Sequence, residues 1–380
     1  MSGETTVYIG LGSNLGSREK NINKALDAVA ADKHIKLFRT SSVIETKPLT
    51  GNKQRDYLNC VAEIKTNLKA VSLLKILKKI ETKLGRKESN PFDKLRAGEK
   101  WSSRTIDLDI LLFGNKTVHK KNLVIPHRQI HLRSFVLKGL CEIDSQLVHP
   151  VLKESVSVLY SRLNGRDFYF DENHPQLISI AGVIGAGKTT LAEGLRDLFG
   201  FRLIKEAYDA NPFLSKVYAG QKSLALDSQM FFLLSQCDQL KPDSFTGRDV
   251  AVSDYIMDKE MIYARLWLDA VQFEIYRKVN TVMTKTVAEP ALAIYLKVPP
   301  QKALERIKKR SRPYEQGIDL GFLEKLRIGY EKLFHSTDSG QVETFNRCPV
   351  ITIDAGAVDF RQKQEIEAIG RKINYYIGRD

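Results

Sequence analysis

Residues 182–189 read GVIGAGKT, a full match to G-x-x-x-x-G-K-[ST], and no other stretch constrains the fold of this chain as much. Such a loop works only when a strand feeds it and a helix leaves it, because the two elements hold its backbone N–H groups in a concave nest. Both are legible here: Leu177–Ala181 reads as a buried strand and Thr190–Phe199 as the helix that follows. Gly182, Gly185 and Gly187 let the chain wrap a polyphosphate. Lys188 adds a cation near the transferred phosphate, Thr189 offers a hydroxyl to Mg²⁺, and Thr190 opens the helix beside them. Downstream, short apolar runs at 201–205, 249–253, 291–296 and 349–353 alternate with long helical segments, the signature of a doubly wound parallel sheet. The loop begins almost halfway along 380 residues, so the part before it must form a domain of its own.

That first part has a different order. A strand over Thr5–Gly10 precedes an amphipathic helix over Lys20–Ala31, strands over Ile35–Glu45 and Tyr57–Thr66, and a helix over Ala70–Leu84. A strand over Thr105–Phe113, closed by a Gly114-Asn115 turn, completes β-α-β-β-α-β, the order of a ferredoxin-like α/β sandwich. Helices over Leu132–Cys141 and near Val151–Leu163 finish the unit. The polar stretch NGRDFYFDENHPQ, residues 164–176, is expected to be the linker, which gives domains at 1–163 and 177–380.

Composition narrows the function. No apolar run approaches the roughly 20 residues that span a bilayer, and the opening MSGETTVYIG lacks the basic and apolar stretches of a signal peptide. Cys60, Cys141, Cys237 and Cys348 are scattered without metal-ligand spacing, so a cytoplasmic chain with reduced thiols is expected. The net charge of +14 raises nucleic-acid binding as a function of another class, but the Lys and Arg residues are spread along the chain. Two polyphosphate sites would also need that excess, so small-molecule substrates, without nucleic acid or membrane, are expected.

Within WSSRTIDLDI, residues 101–110, Asp107 and Asp109 point to one face of a strand. Two adjacent carboxylates repel each other; either a pair of Mg²⁺ ions on a triphosphate explains them or they lie on a solvated sheet face. With GLGSNLG (10–16), ETKPLTGNKQRDYLN (45–59), WSSRTIDLDILLFG (101–114) and PHRQIHLRSF (126–135), residues 5–160 resemble the 6-hydroxymethyl-7,8-dihydropterin pyrophosphokinase family. The resemblance implies two Mg²⁺ ions on Asp107 and Asp109, and a pterin pocket of Thr46, Leu49, Tyr57 and Asn59 with Phe135 stacked on the ring. It implies Glu81, Arg86, Trp101, Arg104, His127 and Arg133 around ATP, with Arg86 and Arg104 acting in catalysis. The loop from Arg86 to Trp101 is longer than the family's usual one, and Arg96 is its candidate second arginine.

The second half offers Glu206 just beyond the second strand, and three arginines, Arg306, Arg310 and Arg312, that either clamp a phosphoryl group or end a solvated helix. GVIGAGKTT, KEAYDANPFL (205–214), VSD (252–254) and RIKKRSRPYEQGI (306–318) resemble the deoxynucleoside kinase family over about residues 176–340. That resemblance implies Glu206 as general base, Tyr218 and Glu315 on the 3′-hydroxyl, Gln229 on the base, the three arginines as a lid, and Asp254 with Thr189 on one Mg²⁺. Two departures stand out: Tyr255 and Gln236 occupy places where the family has arginine, with the acidic partner of the second falling near Asp258 or Glu260. The EAYDANPFL run leans toward purine deoxynucleosides, while Gln236 leaves the base open. The expectation is a bifunctional ATP-dependent transferase, dimeric through its second half; the alternative is a pterin enzyme whose second half only binds nucleotide. Trp267, Phe273 and Tyr276 recur at helical spacing and read as core, and at most one of Phe231 and Phe232 faces the nucleoside.

Overall fold

The computed structural model describes residues 3–49, 54–86, 103–169, 174–335, 345 and 347–379. Contacts divide the chain into two compact units, Met1–Tyr169 and Phe170–Asp380.

In the first unit the elements run β1 (Thr5–Ser13), α1 (Arg18–Ala30), β2 (Ile35–Thr40), β3 (Ile44–Thr46), β4 (Tyr57–Thr66), α2 (Ala70–Lys83) and β5 (Asp107–Phe113). The sheet has the order β2-β4-β1-β5, antiparallel throughout, with β3 paired to β4. This is the ferredoxin-like arrangement expected from the sequence. The strand expected over Ile35–Glu45 is broken in two. Its register slips between Leu37 and Arg39, and the Ser41 hydroxyl takes the Val61 N–H at 2.9 Å in place of a ladder carbonyl. One face of the sheet buries Ile9, Leu11, Ala62, Ile64, Leu108 and Ile110 against Ile22, Ala25 and Val29 of α1 and Leu73 and Leu77 of α2. This is what period-2 strands and period-3.6 helices require of each other.

A hairpin of β6 (Val118–Lys120) and β7 (Leu123–Ile125), then α3 (Ser134–Asp144) and α4 (Val156–Ser161), complete the unit. The front of the stretch expected as linker belongs here. Asp167 Oδ1 accepts from the Ser134 backbone N–H and hydroxyl at 2.6 and 2.8 Å, capping α3, and the Phe168 N–H donates to Leu132 O at 2.8 Å.

The second unit runs β8 (Gln176–Ala181), α5 (Lys188–Phe199), β9 (Arg202–Ile204), α6 (Leu214–Tyr218), α7 (Ala225–Gln239), β10 (Val250–Ser253), α8 (Lys259–Trp267), α9 (Ala270–Met283) and β11 (Leu292–Lys297). It ends with α10 (Pro300–Arg310), α11 (Leu320–His335), β12 (Val350–Asp354) and α12 (Lys363–Tyr376). The sheet order is β12-β11-β8-β10-β9, every pair parallel. From β8 the chain goes out past β10 to β9, and later crosses back over β8 to β11. The carboxyl ends of β8 and β10 therefore flank a topological switch point, where open sheets hold ligands. No helix among the described residues is long and apolar enough to cross a membrane.

Candidate active sites

The first site is written in the register of its sheet. Asn59 of β4, Gly12 of β1 and Asp107 of β5 lie in one cross-strand row, and Val61, Gly10 and Asp109 lie in the next. Gly12 leaves the sheet face without a side chain between Asn59 and Asp107, while the Leu111 side chain packs over Gly10. A Cβ on Gly12 would lie 2.9 Å from Asn59 Oδ1. Asn59 Nδ2 donates to Thr46 Oγ1 at 2.8 Å, and the Tyr57 hydroxyl donates to Gln54 Oε1 at 3.0 Å. Thr46, Leu49, Tyr57, Asn59, Phe135, Arg104, Asp107, Asp109 and Arg133 line one cavity.

Cations crowd the carboxylate end. Arg86 Nη1 sits 2.5 Å from Asp107 Oδ1 and 2.5 Å from Glu81 Oε2, and Arg104 Nη1 pairs with Asp107 Oδ2. Lys78 Nζ reaches Glu81 at 2.7 Å, Asp107 at 3.8 Å and Asp109 at 4.0 Å. Burial pushes the Asp107 carboxyl up, but Arg104, Lys78 and Arg86 together outweigh it and hold it well below the usual carboxylate range. β5 slips register beside Tyr8 and Ile9, leaving Leu111 as an extra residue whose carbonyl accepts the His127 N–H at 2.9 Å. Burial, with Arg133 adding to it, pushes His127 down to about 4. The Gln129 N–H donates to His127 Nδ1 at 3.3 Å, so the neutral ring carries its proton on Nε2.

The second site is built at the switch point. Gly182, Gly185 and Gly187 have φ of 144°, 81° and 99°, and a Cβ on Gly185 would lie 2.6 Å from Ala303 O. Lys188 Nζ donates to the Gly182 and Val183 carbonyls at 2.9 and 3.1 Å. Burial pushes this ammonium down to about 8, against the pull of Glu206 and Asp254. Thr189 Oγ1 donates to Asp254 Oδ2 at 2.6 Å, and the Glu206 N–H donates to Asp254 Oδ1 at 2.8 Å, tying the ends of β8, β9 and β10 together. The same pocket is lined by Lys188, Thr189, Thr190, Glu206, Asp254 and Arg310 and by Tyr218, Gln229, Phe232, Trp267 and Glu315. Arg310 Nη2 pairs with Glu315 Oε2 at 2.5 Å. Arg312 donates to the Tyr208 hydroxyl at 2.5 Å and stacks over that ring at 4.2 Å.

A family model described as 7,8-dihydro-6-hydroxymethylpterin-pyrophosphokinase matches residues 8–145, and one described as deoxynucleoside kinase matches residues 178–377. A 2-amino-4-hydroxy-6-hydroxymethyldihydropteridine pyrophosphokinase of Haemophilus influenzae is 43% identical over 145 residues, 38% of this chain and 85% of that protein. Deoxyguanosine kinase of Bacillus subtilis is 34% identical over 209 residues, 54% of this chain and 99% of that protein. The chain belongs to both families. A solved structure of deoxyadenosine kinase from M. mycoides with bound dATP matches with a TM-score of 0.45 and 26% identity, over 52% of this chain and 99% of that one. Both families are kinases with ATP as co-substrate.

In the pterin pyrophosphokinase unit, Glu81 is not at the pocket surface. It is 1% exposed and accepts the Leu108 N–H at 2.6 Å besides Lys78 and Arg86, so it anchors Arg86 rather than facing a nucleotide. Trp101 and Arg96 lie outside the described residues. Two residues of GLGSNLG whose roles the sequence did not reveal clamp the strand entry. Asn14 Oδ1 accepts the Arg104 N–H at 2.6 Å, and the Ser13 hydroxyl donates to Thr105 O at 2.6 Å.

In the deoxynucleoside kinase unit, Arg306 leaves the expected lid. Its guanidinium donates to Ala355 O at 2.7 Å and Ala186 O at 3.3 Å, which ties α10 to the glycine loop, and it is absent from the pocket lining. Trp267, expected in the core, is a pocket wall set edge-on to Tyr218 with ring centroids 5.6 Å apart. Tyr276 is core, as expected, and of the Phe231-Phe232 pair Phe232 lines the pocket. Lys259, a pocket residue, was not anticipated at all.

Proposed function

We propose that the chain is a bifunctional ATP-dependent transferase. The first unit moves the pyrophosphoryl group of ATP to the hydroxymethyl oxygen of 6-hydroxymethyl-7,8-dihydropterin, a step toward folate. The second moves the terminal phosphoryl group of ATP to the 5′-hydroxyl of a deoxynucleoside. What carries the first reading is the Gly12 row between Asn59 and Asp107, with the hydrogen-bonding groups of Asn59, Thr46 and Tyr57 on one side and hard oxygen donors on the other. What carries the second is one pocket that gathers Lys188, Glu206 and Asp254 with Tyr218, Gln229 and Glu315.

Asp107 and Asp109 suit two Mg²⁺ ions, since carboxylates beside substrate phosphates are the donors this ion takes. Such ions, when bound, neutralise the triphosphate. Asn59, Thr46 and Tyr57 orient the pterin, Phe135 covers its face, and Arg86, Arg104 and Arg133 spread the phosphate charge. His127 donates from Nε2. The hydroxymethyl oxygen attacks the β-phosphorus and AMP departs; positioning and charge neutralisation supply most of the rate. In the second unit Thr189 and Asp254 suit one Mg²⁺. Glu206 takes the proton of the 5′-hydroxyl, Lys188 and Arg310 hold the moving phosphate, and Gln229 reads the base. A purine deoxynucleoside is proposed, in line with the EAYDANPFL run and with the relative named deoxyguanosine kinase.

AMP release that depends on the pterin and disappears in Asp107→Ala, beside deoxynucleoside phosphorylation that disappears in Glu206→Gln, is the expected result. ATP binding without turnover of any deoxynucleoside would instead support the nucleotide-binding reading, which Tyr255 favours. Loss of both activities in either variant would refute the independence of the units. Exposed Leu234 on α7 and Val271, Ile275 and Val282 on α9 support a homodimer, which a monomer in sedimentation at micromolar concentration would refute.

A further inference from the structure

The residue after Asp254 is Tyr255, fully buried, its hydroxyl donating to Gln239 Oε1 at 2.8 Å. No cation stands there. One stands nearby all the same. Lys259 is 6% exposed, yet its Nζ lies 2.5 Å from Glu206 Oε1 and 2.5 Å from Glu260 Oε1. It also lies over the rings of Phe232 at 5.1 Å and Tyr263 at 5.0 Å. Gln236 Nε2 donates to the same two carboxylates, at 3.0 Å to Glu206 and 2.8 Å to Glu260. Glu260 is fully buried and also faces the Tyr276 hydroxyl at 3.4 Å.

Local forces argue against a lysine at this place. It is the first residue of α8, the end of a helix where cations are disfavoured. Burial there is costly for an ammonium without partners. The two carboxylates are what hold it, and it in turn keeps them from repelling each other across a shared buried site. Glu206 lies two residues past the end of β9 and Glu260 on α8, so the ammonium fixes the direction in which the Glu206 side chain leaves the backbone.

Building on the kinase reading above, we infer that Lys259 is a positioning residue for phosphoryl transfer: it aims the Glu206 carboxylate at the acceptor hydroxyl and supplies the buried positive charge that Tyr255 does not. Glu260 and Gln236 hold it in place. The missing arginine is thereby replaced from a different turn of the chain rather than lost.

The test uses the full chain with Lys259→Met, Lys259→Arg and the double variant Lys259→Met/Glu260→Gln, assayed with saturating ATP and the best deoxynucleoside of the wild type, and with ATP binding by calorimetry. Lys259→Met is expected to lower kcat about 100-fold while nucleoside KM and ATP Kd change less than about threefold. Lys259→Arg should recover to within about tenfold of the wild type, because it restores a cation to the same carboxylates. The double variant relieves the unpaired buried charge, so it should fold even if the single one does not, and its kcat should remain low. Three results overturn the inference: a Lys259→Met kcat within about threefold of the wild type, a normal kcat in the double variant, or an Arg variant as slow as the Met variant. If the wild type phosphorylates no deoxynucleoside, the kinase reading itself fails and the inference falls with it. If the wild type is active and the variants match it, the inference fails alone.

Discussion

Asn14 is buried and does not itself line the cavity of the first unit, yet it should matter to catalysis there. Its Oδ1 accepts the Arg104 N–H at 2.6 Å, and its own N–H donates to Arg104 O at 3.1 Å. The loop after β1 thus carries the backbone of the residue whose guanidinium pairs with Asp107. Asn14→Ala removes the acceptor and leaves the Arg104 N–H without a partner in a partly buried place. Leaving such a donor unmet costs about 1–3 kcal/mol, or is avoided by a shift of the Arg104 backbone. If that cost falls on the reactive geometry, kcat/KM for AMP release drops about 5- to 150-fold. The unit should stay folded, since domains of this size hold about 5–15 kcal/mol. Asn14→Asp keeps an acceptor oxygen and should lie nearer the wild type. The assay is pterin-dependent AMP release, with deoxynucleoside phosphorylation in the same preparation as the internal control. An Asn14→Ala rate within about twofold of the wild type would refute the clamp, and an equal fall in both activities would point to a general loss of fold instead.

Two further outcomes follow from the geometry. Gly185→Ala forces a side chain onto a φ of 81° and sets a Cβ against Ala303 O at 2.6 Å; the left-handed strain alone is about 1–2 kcal/mol, so ATP binding to the second unit should weaken at least about tenfold while AMP release by the first is unchanged. Calorimetric ATP binding equal to that of the wild type would contradict this. His149 is fully buried and accepts the Val151 and Leu152 N–H groups on Nδ1 at 3.3 and 3.1 Å, and burial pushes it down to about 4 from 6.5. Because the unfolded chain binds the proton more readily, stability falls as pH drops below 6.5; between pH 7 and pH 5 the loss is about 2 kcal/mol. Chemical denaturation of His149→Asn, whose side-chain oxygen still accepts, should show a flatter pH dependence, and an unchanged slope would rule His149 out as its source.

Much of this protein was written locally. The loop pattern needs only the glycines at 182, 185 and 187 and their flanking strand and helix, so its place and its left-handed turns were readable from a dozen residues. The same holds for Asp107 and Asp109 on one strand face and for the main order of strands and helices, although the β6–β7 hairpin went unread and the strand expected over Ile35–Glu45 is two. Periodicity reports the face a residue occupies, not what it meets there. Trp267 at helical spacing therefore read as core when it is a cavity wall, and Arg306 and Arg310 shared a helix face although one braces the loop carbonyls and the other pairs with Glu315. Strand register across three chain segments set Gly12 between Asn59 and Asp107. The meeting of Lys259 with Glu206 depended on how α8 packs against α7 and α11, because ion pairs between residues this far apart are decided by where the core places their backbones, and no local pattern encodes that distance.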